Sequence, residues 1–170
     1  MSPESPDTFI VYIGLGGNLA DPVHSIQSAR GILAAEKNIR ELAFSSLYRS
    51  SPMGSADQPD YINAVMSIAT TLDPLSLLDT LQRIELDHGR VRQGEQWGPR
   101  TLDLDMLLYG DILMEEPRLK LPHPGVTLRE FVLYPLSEIA PPDLMIPGKG
   151  YLRTWVEQCP RRGLTVLNNV

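Results

Sequence analysis

A buried-strand pattern followed by Asp-Pro, used twice, constrains this 170-residue chain more than any other feature. The first instance is Phe9-Ile10-Val11-Tyr12-Ile13-Gly14, a β-branched apolar run that stops at glycines and reads as a strand. Asp21-Pro22 then opens a helix, because aspartate caps free amides and proline suits the first helical position. Val23, Ile26, Ala29 and Leu33 supply one apolar face at helical spacing. The second instance is the strand Tyr61 to Thr71, followed by Asp73-Pro74. Its alternation sets Ile62, Ala64, Met66 and Ile68 on one face, and Tyr61, Asn63, Val65 and Ser67 on the other. Leu77, Leu78, Leu81 and Ile84 form the buried stripe of the second helix, and Gly89 suits its stop.

Ile39 to Arg49 reads as a further strand, and Ser50 to Asp60 as a loop rich in Ser, Pro, Gly and Asp. Thr101 to Tyr109 completes the set as a fourth strand. The order is therefore β-α-β-β-α-β, the split βαβ or ferredoxin-like pattern of the α+β class. It predicts an antiparallel sheet with both helices packed on one side. Gly110-Asp111 reads as a turn into C-terminal additions, short hairpin strands and a closing helix over Tyr151 to Gln158. Residues 1–8 read as a mobile N-terminal tail, and residues 9–170 as one domain.

Composition narrows the function. With Cys159 as the sole cysteine, no intrachain disulfide and no cysteine-based zinc site can form, and a reducing, cytoplasmic setting fits. No window approaches about 18 consecutive apolar residues, so no membrane span is expected. The formal charge of −6 disfavours a duplex-wrapping role. Arg83, Arg90, Arg92 and Arg100 nevertheless cluster, and a local basic patch suits a small polyanion better than a polymer.

The chemistry centres on Asp103-Leu104-Asp105. Side chains alternate along a strand, so the two carboxylates share a face while Leu102, Leu104 and Met106 face the core. Residues two apart lie roughly 6–7 Å from each other, a spacing that holds one or two hard cations. Oxygen-only ligands favour Mg²⁺, which takes water and phosphate oxygens as its other ligands. The same triplet also suits a plain solvated strand face. Trp97-Gly98-Pro99-Arg100 and Arg90-Val91-Arg92 shift the balance, since arginines bind phosphate bidentately and cation-holding carboxylates beside them describe a metal–phosphate site. Gly89, Gly94 and Gly98 make the arginine segment permissive, either as a closing lid or as a plain connection. Tyr61 and Asn63 offer stacking and amide hydrogen bonding to a planar heterocycle, or simply pair on a half-exposed sheet. His123, between Pro122 and Pro124, is either a phosphate or ribose contact or a surface residue. His24 and His88 read as ordinary helix-surface positions. Gly14-Leu15-Gly16-Gly17-Asn18-Leu19 starts like a dinucleotide fingerprint, but Leu19 replaces the last glycine and the strand order is wrong for a parallel sheet.

Trp97-Gly98-Pro99-Arg100-Thr101-Leu102-Asp103-Leu104-Asp105 resembles the signature of the 6-hydroxymethyl-7,8-dihydropterin pyrophosphokinases of the folate pathway. Tyr12 to Leu19, Asp57 to Ala64, Pro122-His123-Pro124 and Arg129 to Leu136 are similar to further family strings, in the same order, over roughly Phe9 to Leu144. The resemblance implies transfer of pyrophosphate from ATP to the hydroxymethyl group of the reduced pterin, with release of AMP. It implies two Mg²⁺ ions on Asp103 and Asp105, with Arg90 and Arg92 as further catalytic groups. Tyr61 and Phe131 match the aromatic pair that sandwiches the pterin, Asn63 its amide, and Ser50, Pro52, Met53 and Gly54 its loop neighbours; Trp97 and Asp103 also border it. Around ATP the matching positions are Gln82, Glu85, Arg90, Arg92 and Trp97, then Arg100, Met106, Arg118, His123 and Arg129. The implied partners are these small molecules, without nucleic acid or membrane, and the implied state is a monomer. Gln96 departs from the family, which often has arginine there, and Gln93 is also neutral; both weaken the expected grip on phosphate. A metal-dependent hydrolase or nuclease, and a non-catalytic ligand-binding module, are the rival readings of the same residues.

Overall fold

The computed structural model describes residues 7–19, 21–50, 59–88 and 101–167. The elements in chain order are β1 (Phe9–Gly17), α1 (Pro22–Ala35), β2 (Ile39–Phe44), β3 (Tyr48–Ser50), β4 (Tyr61–Thr70), α2 (Pro74–Asp87) and β5 (Asp103–Tyr109). The C-terminal additions are β6 (Met114–Glu115), β7 (Lys120–Leu121), α3 (Glu130–Ile139), β8 (Met145–Ile146), β9 (Gly150–Tyr151), α4 (Leu152–Gln158) and β10 (Thr165–Val166). The principal sheet runs β10-β3-β4-β1-β5, with β2 also paired to β4, and every pair in it is antiparallel. This is the expected ferredoxin-like order, with β1 between β4 and β5.

Both helix openings follow the local chemistry. The Asp21 carboxylate accepts from the His24 amide at 3.1 Å, and Asp73 accepts from the Ser76 amide at 2.8 Å. Val11, Ile13, Leu15, Ala64, Met66, Leu104 and Met106 then pack against Ile26, Leu33, Leu77 and Leu81 of α1 and α2, forming the core on one sheet face. The opposite face carries a second cluster, in which Tyr12, Val65 and Leu107 meet Val132, Leu133 and Leu136 of α3 and Leu152 at the start of α4.

Three differences from the sequence expectations matter. The strand expected over Ile39 to Arg49 is two strands, both on the same edge of β4. Between them the Ser45 amide donates to Val65 O, and Ser45 Oγ accepts from the Val65 amide, so the break keeps its backbone groups satisfied. Helix α3 has no counterpart among the expected elements; Pro135 lies inside it. The first strand, expected to stop at its glycines, runs on through Gly17. Most of the expected mobile tail, residues 1–6, lies outside the described residues.

Candidate active site

The site begins with register. Strand β5 is an end strand of the sheet path, paired among the described residues to β1 alone, with Asp103 opposite Gly16, Leu104 opposite Leu15 and Asp105 opposite Gly14. Directly opposed residues point to the same face. Asp103 and Asp105 are half-buried while Leu102, Leu104 and Met106 are buried on the other side, as the alternation predicts. One strand further, Gly16 opposes Asn63, and Asn63 opposes Tyr48. A single row across the sheet therefore reads Tyr48, Asn63, Gly16, Asp103, with Tyr61 two residues along β4 from Asn63 on the same face. Neighbouring strands lie about 4.8 Å apart, so the amide-bearing and carboxylate-bearing backbones are separated by roughly 10 Å.

Helix α3 packs on this same face through the second cluster. Phe131, in its first turn, is partly buried against that cluster, and the Arg129 guanidinium lies 5.8 Å from its ring. At the other end of α3, Glu138 accepts from Tyr48 Oη at 2.7 Å and from the Ser46 amide and hydroxyl at 2.8 and 3.0 Å. That triple contact fastens α3 to the strand break beside β3. Burial, and then the neighbouring Glu138 carboxylate, push the Tyr48 phenol well above its ordinary value.

A cavity of about 350 Å³ lies beside the β5 edge, between α2 and the β6–β7 arm. Gln82, Glu85, Asp105, Arg118, Lys120 and His123 supply its polar wall, and Leu78, Leu104, Met106 and Leu119 its apolar one. That mixture suits a ligand with a flat apolar part and a charged tail. Arg118 is oriented by Asp79 at 2.6 Å and by Gln82 Oε1 at 3.2 Å. Glu85 is buried, and its carboxylate accepts from the Leu104 amide at 2.8 Å, so it holds the edge strand between the two aspartates. His123 Nδ1 accepts from the Gly125 amide at 2.9 Å, which leaves Nε2 as the donor nitrogen. Burial pushes the His123 imidazole below its ordinary value, while Asp105 pulls it up and Arg129 pushes it down. His123 is thus a neutral donor near pH 7.

The structure sets Asp103, Asp105, Tyr61 and Asn63 on one sheet face, the face against whose apolar cluster Phe131 packs, and gathers Gln82, Glu85, Met106, Arg118 and His123 around the adjoining cavity. Ser50 is buried at the end of β3, opposite Tyr61. Pro52, Met53, Gly54, Arg90, Arg92, Trp97 and Arg100 lie outside the described residues, as do Gln93 and Gln96. Lys120, Tyr48 and Glu138 have no place in the sequence reading. Of the three, Lys120 alone carried a usable signal, as a cation three residues before His123. His88 is half-buried rather than a plain surface residue: its ring bridges Ile84 O at 2.8 Å and Ser28 Oγ at 3.0 Å, tying α2 to α1.

The donor set fits a hard divalent cation. Asp103 and Asp105 offer oxygen ligands from one face of one strand, and Asp105 opens into the cavity. Among the described residues no third His, Cys, Asp or Glu groups with them. Mg²⁺ characteristically takes one or two carboxylates and completes its shell with water and phosphate oxygens.

Comparison with known proteins gives one answer. Residues 12–141 match the family model of 7,8-dihydro-6-hydroxymethylpterin-pyrophosphokinase. The chain is 49% identical over 154 residues to a 2-amino-4-hydroxy-6-hydroxymethyldihydropteridine pyrophosphokinase of Pseudomonas aeruginosa, covering 91% of this chain and 94% of that one. It is 46% identical to the protein of the same name from Haemophilus influenzae, covering 92% and 97%. A solved Plasmodium falciparum HPPK-DHPS chain superposes with a TM-score of 0.70 at 16% identity; the match covers 92% of this chain and 43% of that longer one, and speaks for the fold alone. Among the described residues no helix is long and apolar enough to cross a membrane.

Proposed function

The chain belongs to the 7,8-dihydro-6-hydroxymethylpterin-pyrophosphokinase family, and from that premise we propose that Asp103 and Asp105 hold Mg²⁺ against the phosphates of ATP while Tyr61, Asn63 and Phe131 hold the pterin. The activity is transfer of pyrophosphate from ATP to the hydroxymethyl group of 6-hydroxymethyl-7,8-dihydropterin, in folate biosynthesis. The acceptor oxygen forms a bond to the β-phosphorus, the bond from that phosphorus to the α-phosphate oxygen breaks, AMP leaves, and the hydroxyl proton is released.

The residues divide this work between them. Gln82, Arg118 and Lys120 line the nucleotide cavity, and the two cations meet phosphate or ribose oxygens there. His123 donates through Nε2 without adding a full charge. Tyr61 and Phe131 stack on the pterin, and Asn63 reads its polar edge with one donor and one acceptor. Mg²⁺, when bound to Asp103 and Asp105, neutralises phosphate charge and lowers the proton affinity of the acceptor hydroxyl. Arg90, Arg92, Trp97 and Arg100 complete the phosphate grip, and Arg129 sits beside Phe131 at the junction. We place the reaction in the cytoplasm, in a monomer, with two Mg²⁺ ions per turnover.

The observation that carries this reading is the shared sheet face: the amide on β4 and the two carboxylates on β5 flank a side-chain-free strand position, beside the cavity. The test is AMP release from ATP, with and without the hydroxymethyl pterin, in Mg²⁺ and after its removal by chelation. AMP that appears only with acceptor and metal supports the reading; acceptor-independent hydrolysis contradicts it. Asp105→Asn should slow turnover by at least about 100-fold while leaving the melting temperature within about 3 °C of the parent. A loss under about tenfold, or 1.4 kcal/mol of barrier, would remove the metal role from Asp105.

A further inference from the structure

The glycine-rich run of β1 is extended strand, and one of its glycines is under a sharp steric constraint. A Cβ built on Gly16 lands on the Asn63 carboxamide, overlapping Oδ1 and standing 3.4 Å from both Cγ and the Ile62 carbonyl oxygen. The Asn63 side chain therefore lies across β1, over the one position of the row that has no side chain, towards the strand that carries Asp103. Two residues back on the same face, Gly14 is under no such constraint. Its Cβ would stand nearest to the Leu107 side chain, at 3.6 Å or more, which is ordinary contact.

We propose that Gly16 is a specificity-determining positioning residue: its missing side chain holds the Asn63 carboxamide across β1, at the height where the polar edge of the acceptor meets it. Asn63 is half-buried, and its amide presents a donor on one side and an acceptor on the other. Which ring edge it recognises therefore depends on its torsion, and its torsion depends on the space over Gly16. A methyl group there displaces the far end of one side chain rather than backbone, so the fold tolerates the change while the amide turns away. The effect falls on the acceptor and not on ATP, because the nucleotide cavity lies beyond β5.

This inference rests on the assignment of Asn63 to the pterin, and the experiment separates the two. Gly16→Ala, Gly14→Ala, Asn63→Ala and the double variant Gly16→Ala/Asn63→Ala are compared for acceptor KM, ATP KM and melting temperature. Gly16→Ala is expected to raise acceptor KM by about tenfold, one well-aligned hydrogen bond's worth, with ATP KM within about twofold of the parent. Gly14→Ala is expected to leave both constants within about twofold. In the double variant the methyl no longer meets the amide, so its acceptor KM should match that of Asn63→Ala. An unchanged acceptor KM in Gly16→Ala, alongside a raised one in Asn63→Ala, overturns the positioning role alone. An unchanged acceptor KM in Asn63→Ala overturns the assignment on which it rests. Should Gly16→Ala fail to fold, the double variant decides: folding with the kinetics of Asn63→Ala supports the proposal, and failing to fold or losing a further tenfold overturns it.

Discussion

Replacing Glu85 with alanine tests how the two aspartates are held in place. Glu85 is 6% exposed on α2, and its carboxylate accepts from the Leu104 amide at 2.8 Å. Leu104 stands between Asp103 and Asp105 on an end strand, where among the described residues no further strand of the sheet pairs with it. Glu85→Ala strands that buried amide, which costs about 1–3 kcal/mol. It also removes one packed methylene, worth about 0.8 kcal/mol. The total is about 2–4 kcal/mol, and a chain of this size loses roughly 2–4 °C of melting temperature per kcal/mol, so a fall of about 4–16 °C is expected. Glu85→Gln keeps a carbonyl oxygen in reach of the amide and should recover most of the loss, less the strengthening that the charge provides, about 1 kcal/mol. Because the aspartates flank the released amide, Glu85→Ala should also raise the Mg²⁺ concentration for half-maximal turnover several-fold. Thermal unfolding followed by circular dichroism, together with Mg²⁺ titration of AMP release, measures both. A melting temperature within about 2 °C of the parent, with an unchanged Mg²⁺ midpoint, would refute the claim that this hydrogen bond positions the ligands.

Two further outcomes are expected. Tyr48→Phe removes the hydrogen bond to Glu138 and should cost about 1–3 kcal/mol in urea unfolding; a cost under about 0.5 kcal/mol would show that the fastening of α3 does not depend on it. Glu41 is hydrogen-bonded bidentately to Arg30 at 2.7 and 2.9 Å, and that bond, outweighing desolvation, holds its carboxyl below the ordinary 4.5. Its stabilisation is therefore complete above pH 4.5 and is lost as pH falls through the lower folded value. The gap in stability between the parent and Glu41→Gln should be at most about 1 kcal/mol at pH 7, because the pair is partly exposed, and it should shrink as the pH is lowered through the carboxylate range. A gap that holds steady through acid would point to packing rather than charge.

Much of the fold was legible because the signals were local. The alternation of Tyr61 to Thr71 reported which side chains share a face, and the same rule placed Asp103 beside Asp105. Asp21 and Asp73 announced their helices through capping chemistry that needs only four consecutive residues. Helix α3 escaped because Pro135 inside it lacks an amide and opposes a helix by every local rule. It forms because Val132, Leu133, Pro135 and Leu136 are buried, three of them against a sheet face laid down more than a hundred residues earlier in part. The break at Ser45 was illegible for the same reason, since the partner that satisfies it is Val65.

The sequence by itself determined the kinds of chemistry present: paired carboxylates on one strand face, cations to meet phosphate, and an aromatic and an amide on another strand. These are properties of neighbouring residues, and strand periodicity transmits them without any knowledge of the fold. Only the tertiary structure decided that Asn63, Gly16 and Asp103 fall in one row, that Glu85 grips the amide between the aspartates, and that Lys120 joins Arg118 at the cavity wall. Register between strands distant in the chain depends on which apolar faces can be buried together, and that is settled by the packed whole rather than by any segment of it.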